Sequence, residues 1–413
     1  MKIQFLTNTY IRSTHTDLEV QPVGVVLAET IIEVDNRMYS GVSVDGIDLW
    51  YRDAHNWYYW SGQAIRLETG IADPNELIDE EQLDTTRIET GMTTIGGIPD
   101  PQEDIIDEDE SLDANTAVAE KNWAIDSLEV DTLYWEKGYL GKDIKVAILD
   151  TGIDPNYPDL QDRISKYQDF CETDASNLQK DMDGHGTNCA GLIGGTGNTQ
   201  LLGIAPSAKL YIGRVMVNRS QPHLDHFIAG LEWALEEEVD IVFTSVNWRS
   251  ASLSLQDKDM LESMINTAAE VGTLIIASSG DDTVEVPEDN YPACLDEVLS
   301  VGAYDRNRSR LNTSIKSYTL DVLAPGGQLN IDFLENTDGE EIKYTGFAAA
   351  IVSGLMALVY QFIKQNNKDI SVSEMLRIIR STATNDTRPS NYRSLEYGWG
   401  RINPKGILEA LEG

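Results

Sequence analysis

Positive charge is what this chain most lacks: 31 basic residues stand against 69 acidic ones in 413, a net charge of −38. A field of that sign repels nucleic acid and anionic lipid, so both are set aside as partners. Cysteine is scarce too. Cys171, Cys189 and Cys294 are an odd number with no C-x-x-C pair, which speaks against a disulfide framework or a cysteine zinc site and predicts reduced, partly buried thiols. Histidine numbers five, so any imidazole chemistry falls on very few positions. His223 and His226, with Asp225 between them, have metal-compatible spacing but no third ligand, and read as a solvated helix start. The first twenty residues lack a basic region followed by an apolar one, so a cytoplasmic location is the expectation. Only the run 346–363 is long and uncharged; it contains Gly354 and small residues and has no basic anchors, which predicts a buried core helix and no membrane span.

What is present falls into three textures. Residues 1–68 carry short strand-like runs (Val23–Val26, Glu29–Val34, Val42–Val44, Leu49–Tyr51) separated by turns such as Asp45-Gly46, which predicts a small all-β unit. Residues 69–118 change character: between Thr69 and Glu120 sixteen acidic residues face one basic residue, Arg87, so this stretch reads as an acidic flexible linker. From 119 to 413 apolar strands alternate with helical patterns. Strands are predicted at Asp143–Leu149, Lys209–Val215, Asp240–Ser245, Thr273–Ala277, Val298–Ala303 and Leu320–Leu323. Helices are predicted at Ala229–Glu237, Met260–Val271, Ala348–Gln365, Ser371–Thr382 and Pro404–Leu411. That alternation predicts an α/β domain whose central parallel sheet is covered by helices on both faces.

Two motifs carry chemistry. Val146-Ala147-Ile148-Leu149-Asp150-Thr151-Gly152 is a buried strand delivering a carboxylate at its C-terminal end, where open α/β sheets build their sites. Asp183-Gly184-His185-Gly186-Thr187 sets the one flanked histidine at the start of a helix. A buried Asp150 accepting from His185 Nδ1 would fix the tautomer and leave Nε2 free as a base.

With these motifs the region from about Trp123 to Leu411 resembles the subtilisin-like (S8) serine peptidase domain, in Asp…His…Ser order. Asp240–Asn247 is similar to that family's substrate strand, Ala324-Pro325-Gly326 to its A-P-G turn, and Tyr397–Asn403 to its closing segment. The resemblance implies that Ser245, Val246 and Asn247 on one side, and Ser278, Ser279 and Gly280 on the other, wall a peptide groove. It allows calcium at Asp159 and implies no other cofactor. The segment Asp48–Gly62, dense in aromatics, resembles the closing hairpin of bacterial SH3-like domains. Its aromatics could line a peptide groove or form the core of a small barrel.

The departures are as specific as the matches. The family's G-T-S-M-A-x-P-x-V-A-G falls on Tyr344–Gly354, which sets Gly346 at the serine and Ala350 at the proline. Thr345 precedes the expected turn, and Ser353 lies a turn into the helix. The oxyanion turn reads Ala277-Ser278-Ser279-Gly280-Asp281, with an acceptor where the family has an amide donor. Asn247 stands where glycine is usual and would crowd an extended peptide. The expectation is a catalytically inactive family member that binds a peptide or protein segment, or regulates an active protease partner. The alternative is a serine endopeptidase whose nucleophile at position 346 was replaced.

Overall fold

The computed structural model describes residues 122–413 except 172–180, 182, 200, 220–221, 282–289, 330–343 and 385–392; before residue 122 it describes the backbone of eight strands. Those strands, between Lys2 and Arg66, form a three-stranded and a five-stranded sheet, and every pairing is antiparallel. The strands at Lys2–Phe5, Thr9–Arg12, Tyr58–Trp60 and Ala64–Arg66 add to the four runs expected from sequence. The aromatic groove of the SH3-like resemblance and the acidic stretch 69–118 lie outside the described residues.

In the rest of the chain eight strands make one wholly parallel sheet. Its spatial order is Ile164–Asp169, Lys209–Arg214, Lys145–Asp150, Ile241–Thr244, Leu274–Ser278, Val298–Tyr304, Val322–Pro325 and Gly400–Arg401. Alternation along the strand Lys145–Asp150 decides the layers. Val146 and Ile148 enter the core beneath the helices His185–Gly194 and Thr345–Gln365. Ala147 and Leu149 enter the opposite core, under the helices Leu224–Glu236 and Leu255–Glu270. The two sheet neighbours of Lys145–Asp150 lie on opposite sides: the chain builds Ile164–Asp169 and Lys209–Arg214 on one side and then crosses to build Ile241–Thr244 on the other, so the C-terminal end of this strand is a switch point where a crevice opens.

The helix Thr345–Gln365 is the spine of the domain. Eighteen of its 21 residues are buried, so its apolar length serves a protein core. Its polar interior positions are answered locally. Ser353 Oγ donates to Ala349 O at 2.8 Å, and Gln361 Oε1 accepts from the backbone N–H groups of Leu140, Gly141 and Lys142 at 2.7–2.9 Å.

Boundaries differ from expectation where helices begin and at one sheet edge. The expected starts Ala229, Met260 and Ala348 move to Leu224, Leu255 and Thr345. Leu255–Glu270 begins earlier because Ser254 and Asp257 form a reciprocal capping box that satisfies the polar first turn. The expected strand Leu320–Leu323 is corrected to Val322–Pro325, since Asp321 is drawn off to accept from Arg380, Arg393 and Ser300 N. The edge strand Ile164–Asp169 was not anticipated.

That edge is tied to the sheet by a buried ion pair. Arg214 Nη1 donates to Asp169 Oδ2 at 2.9 Å, with both side chains about 95% enclosed. The stem of Arg214 packs under Gly152, whose φ of +112° favours glycine; a Cβ built there would lie 3.3 Å from Arg214 Cδ, tighter than most real contacts. Arg214→Met should therefore destabilise the fold by about 3–5 kcal/mol by stranding a buried carboxylate. The double variant Arg214→Met/Asp169→Leu should recover much of that loss. Urea unfolding checks both, and equal destabilisation by the two variants would contradict the account.

Candidate active site

Asp150 ends its strand fully buried, and three donors converge on it. His185 Nδ1 lies 2.9 Å from Oδ1, Thr151 N donates to Oδ1 at 2.8 Å, and Ser245 Oγ donates to Oδ2 at 2.5 Å. Burial alone would raise the carboxyl's pKa. The attraction of His185 and the hydrogen bonds from His185, Ser245 and Thr151 outweigh burial and hold the group below the ordinary carboxylate range.

His185 is the first residue of its helix and is 2% exposed. Phe347 stacks on it with centroids 5.2 Å apart and planes at 16°, while Tyr344 meets it edge-on at 6.4 Å. Nε2 points at Gly346, the second residue of the helix Thr345–Gln365. A Cβ built on Gly346 would lie 2.9 Å from Nε2 and 3.1 Å from Cε1, so the imidazole reaches into the space a side chain would use.

A cavity of about 310 Å³ opens here. It is lined by His185, Gly346, Ser245, Val246, Asn247, Ser278, Gly280 and Asp281, so the sequence reading places eight residues around one space. Asp150 stands behind His185 and Ser279 is buried beside the turn; neither lines the cavity. Arg219, Tyr344, Met216, Asn290 and Ile315 line it as well and were not foreseen in that role. Arg219 pairs with Asp183 at 2.9 Å and lies 4.9 Å over the Tyr344 ring, which brings a cation to the rim. Asn290 Nδ2 donates to Ser279 O, holding a turn that needs glycine at 280, where φ is +104°.

The two residues expected to disturb the site are both engaged. Asn247 Nδ2 donates to Ser245 O and to Ser278 Oγ, each at 2.8 Å, so it bridges the two walls of the groove and occupies a main-chain carbonyl that an added strand would use. Asp281 accepts from Thr345 N at 2.9 Å and from Thr345 Oγ1 at 3.0 Å, giving the buried helix an anionic partner at its N-terminus. Thr345 is thus the first helical residue, and its hydroxyl is held by a carboxylate.

The remaining nucleophile candidates are also occupied. Ser353 is tied into its helix, and Cys189, although 3.8 Å from His185 Nε2, is wholly buried with its pKa pushed well up by desolvation. Asp159 is fully buried and accepts from Thr196 Oγ1, Thr199 N, Thr199 Oγ1 and Leu201 N at 2.7–3.1 Å. These donors make the carboxylate an anchor for Thr196, Thr199 and Leu201. His223 precedes the helix Leu224–Glu236, and its ring centroid lies 5.0 Å from that of His226.

Asp281 makes the site pH-sensitive. As a residue it is exposed, but its carboxyl group is crowded by protein, and burial pushes its pKa up to about 6 against the lowering effects of Thr345, His185 and Arg219. Solvent at the exposed part of the residue tempers the size of that shift. A carboxyl whose folded pKa lies above its unfolded value stabilises most below the unfolded value and loses that contribution as pH rises through about 6. Asp281→Asn keeps an acceptor for Thr345 and removes the titration. Its melting temperature relative to the parent should therefore rise between pH 4 and pH 8, and a difference independent of pH would contradict this assignment.

Comparison with known proteins agrees with the fold and with the motifs. The profile of the subtilase family (peptidase S8) matches residues 141–400. The chain is 32% identical over 257 residues to the major intracellular serine protease of Bacillus subtilis, covering 60% of this chain and 78% of that protein. It is 30% identical to subtilisin DY of Bacillus licheniformis, covering 66% and 93%. Among solved structures, the prenylagaramide maturation protease PagA superposes with a TM-score of 0.57 at 26% identity, covering 69% of this chain and 99% of that one.

Proposed function

The chain belongs to the subtilase family, and from that premise we propose that it is a pseudoprotease, which holds an extended peptide or protein segment in the groove without cleaving it. The observation that carries this reading is Gly346. His185 Nε2 faces a position with no hydroxyl, so no acyl-enzyme can form there. In subtilisin, a relative of this chain, loss of the serine lowers kcat by about 10^6, and loss of an oxyanion donor costs about 10^2–10^3. Asp281 supplies an acceptor where such a donor would be useful, which adds to the first loss without simply summing with it.

Binding remains chemically open. The walls at Ser245–Asn247 and Ser278–Gly280 carry main-chain groups that could pair with an extended segment, and Arg219 offers a cation at the rim. The proposal includes regulation of an active protease partner, which would present such a segment, and an SH3-like unit at 1–68 as a second recognition element. An intracellular setting belongs to it as well, in keeping with one relative's name. A second reading is a serine endopeptidase lineage whose nucleophile was replaced recently, in which the 2.9 Å contact between Asp150 and His185 is the remainder of a catalytic pair.

A fluorophosphonate probe should leave the chain unlabelled, and labelling at any residue would overturn the pseudoprotease. Gly346→Ser separates the two readings. Because the new Cβ would meet the imidazole at 2.9 Å, the pseudoprotease should stay at or below about 10^-2–10^-3 of an active relative's kcat/KM, in line with the loss of an oxyanion donor. Robust peptidase activity would establish the second reading. Asn247→Gly frees Ser245 O, and one added hydrogen bond should raise affinity for peptides selected from a library by roughly fivefold. Unchanged or weaker binding in titration calorimetry would place the peptide elsewhere.

A further inference from the structure

One end of the groove cavity is built over by side chains from segments remote from its walls. Past Asn247 the wall continues into Trp248–Arg249, which pairs antiparallel with Asn290–Tyr291. That pairing sets the buried Asn290 against the turn 278–280, where its Nδ2 donates to Ser279 O at 3.0 Å. Ile315 arrives from a third segment. Its N donates to Gly280 O at 3.0 Å, and the adjoining Ser314 bridges antiparallel to Asp281. A Cβ built on Gly280 would lie 2.6 Å from Asn290 Nδ2 and 2.8 Å from Ile315 Cδ1, so both side chains press on this turn. Both also line the cavity.

The other wall closes on the same space. Asn247 Nδ2 reaches across to Ser278 Oγ at 2.8 Å, and Ser278 Oγ in turn donates to Ser245 O at 3.4 Å, so side chains lace the two walls together. A ligand side chain entering between them meets the Asn247 amide on one side and the Asn290 amide with Ile315 on the other. The cavity holds about 310 Å³ over its whole length from His185 to Asn290, at the bottom of the range of about 300–1,000 Å³ usual for ligand pockets. The main chain of an extended segment has to share that volume. Neither amide can withdraw freely, because Asn290 answers Ser279 O and Asn247 answers Ser245 O.

We propose that Asn290, with Asn247 and Ile315, determines specificity in the groove: the segment held there carries glycine, alanine or serine at the residue whose side chain enters between the walls. This rests on the peptide-holding reading above and names the ligand class within it. A larger apolar side chain would have to displace hydrogen-bonded amides, and overfilling a packed site is costly. It would also leave those amides facing hydrocarbon.

Peptides selected from a random library by the full chain should converge on a small residue at one position. Replacing that residue by leucine or phenylalanine should weaken binding to the parent by about tenfold or more in titration calorimetry. Ile315→Ala widens the same end and keeps the main-chain bond to Gly280 O, so it should cut the penalty to about threefold or less. Asn290→Gly should do the same if its melting temperature stays near the parent's, and Ile315→Ala carries the test if it does not. A parent that prefers leucine or phenylalanine at that position overturns the proposal, as does a penalty left unchanged in the folded variants. A free aromatic probe, 4-fluorotoluene followed by fluorine NMR, tests the closure without any peptide. The variants should bind it and the parent should not; equal behaviour of parent and variants overturns the closure. If no peptide binds, or mass spectrometry finds the peptides cleaved, the peptide-holding reading falls and takes the ligand class with it. The probe then tells that failure apart from a failure of the closure itself.

Discussion

A carboxylate cut off from water at the end of a buried strand must be answered by the protein, and much of this domain is arranged around that requirement at Asp150. Its three donors come from its own following residue, from the first residue of a helix and from the end of a neighbouring strand. Removing any of them would leave a buried charge short of a partner, which costs more than the contact itself contributes. This explains why His185 and Ser245 can hold their geometry irrespective of turnover. The pair is a structural element of the fold before it is a chemical device.

The same reasoning applies at the other end of the cavity. The helix Thr345–Gln365 is buried along nearly its whole length, and its first N–H groups need acceptors. Tyr344 at the N-cap provides no side-chain bond, and Asp281 supplies the acceptor from across the cavity. A carboxylate there stabilises the helix start and also removes a donor from the space facing His185. One residue thus has two consequences, one for the fold and one for the chemistry, and burial raises its pKa although the hydrogen bonds from Thr345 lower it.

Sequence made the layers legible because buried parallel strands are unbroken apolar runs: Lys145–Asp150, Ile241–Thr244 and Leu274–Ser278 could hardly be read otherwise. Ile164–Asp169 escaped because an edge strand alternates exposed polar residues and carries its order in pairing, not in composition. Helix starts were misplaced wherever the first turn is polar, as at Leu224-Asp225-His226, since apolar periodicity registers only after the cap. In the site, Asp150, His185 and Gly346 were readable from motif spacing. Arg219, Asn290 and Ile315 were not, because they reach the cavity from segments remote in sequence. The direction of the Asp281 side chain was beyond sequence as well: composition shows an acceptor, and only packing shows that it turns toward Thr345.

On the pseudoprotease reading, the three departures reinforce one another. Once position 346 has no side chain, His185 can settle toward it and stack on Phe347, and a returning Cβ then finds the imidazole too close. Once no oxyanion develops, an acceptor at 281 carries no penalty and contributes to the helix start. Once no substrate must be held in register for attack, Asn247 can take Ser245 O and brace the two walls. Asp281 and Asn247 each have a packing role of their own. A single serine at 346 would therefore enter a site whose neighbouring atoms are already committed to other partners.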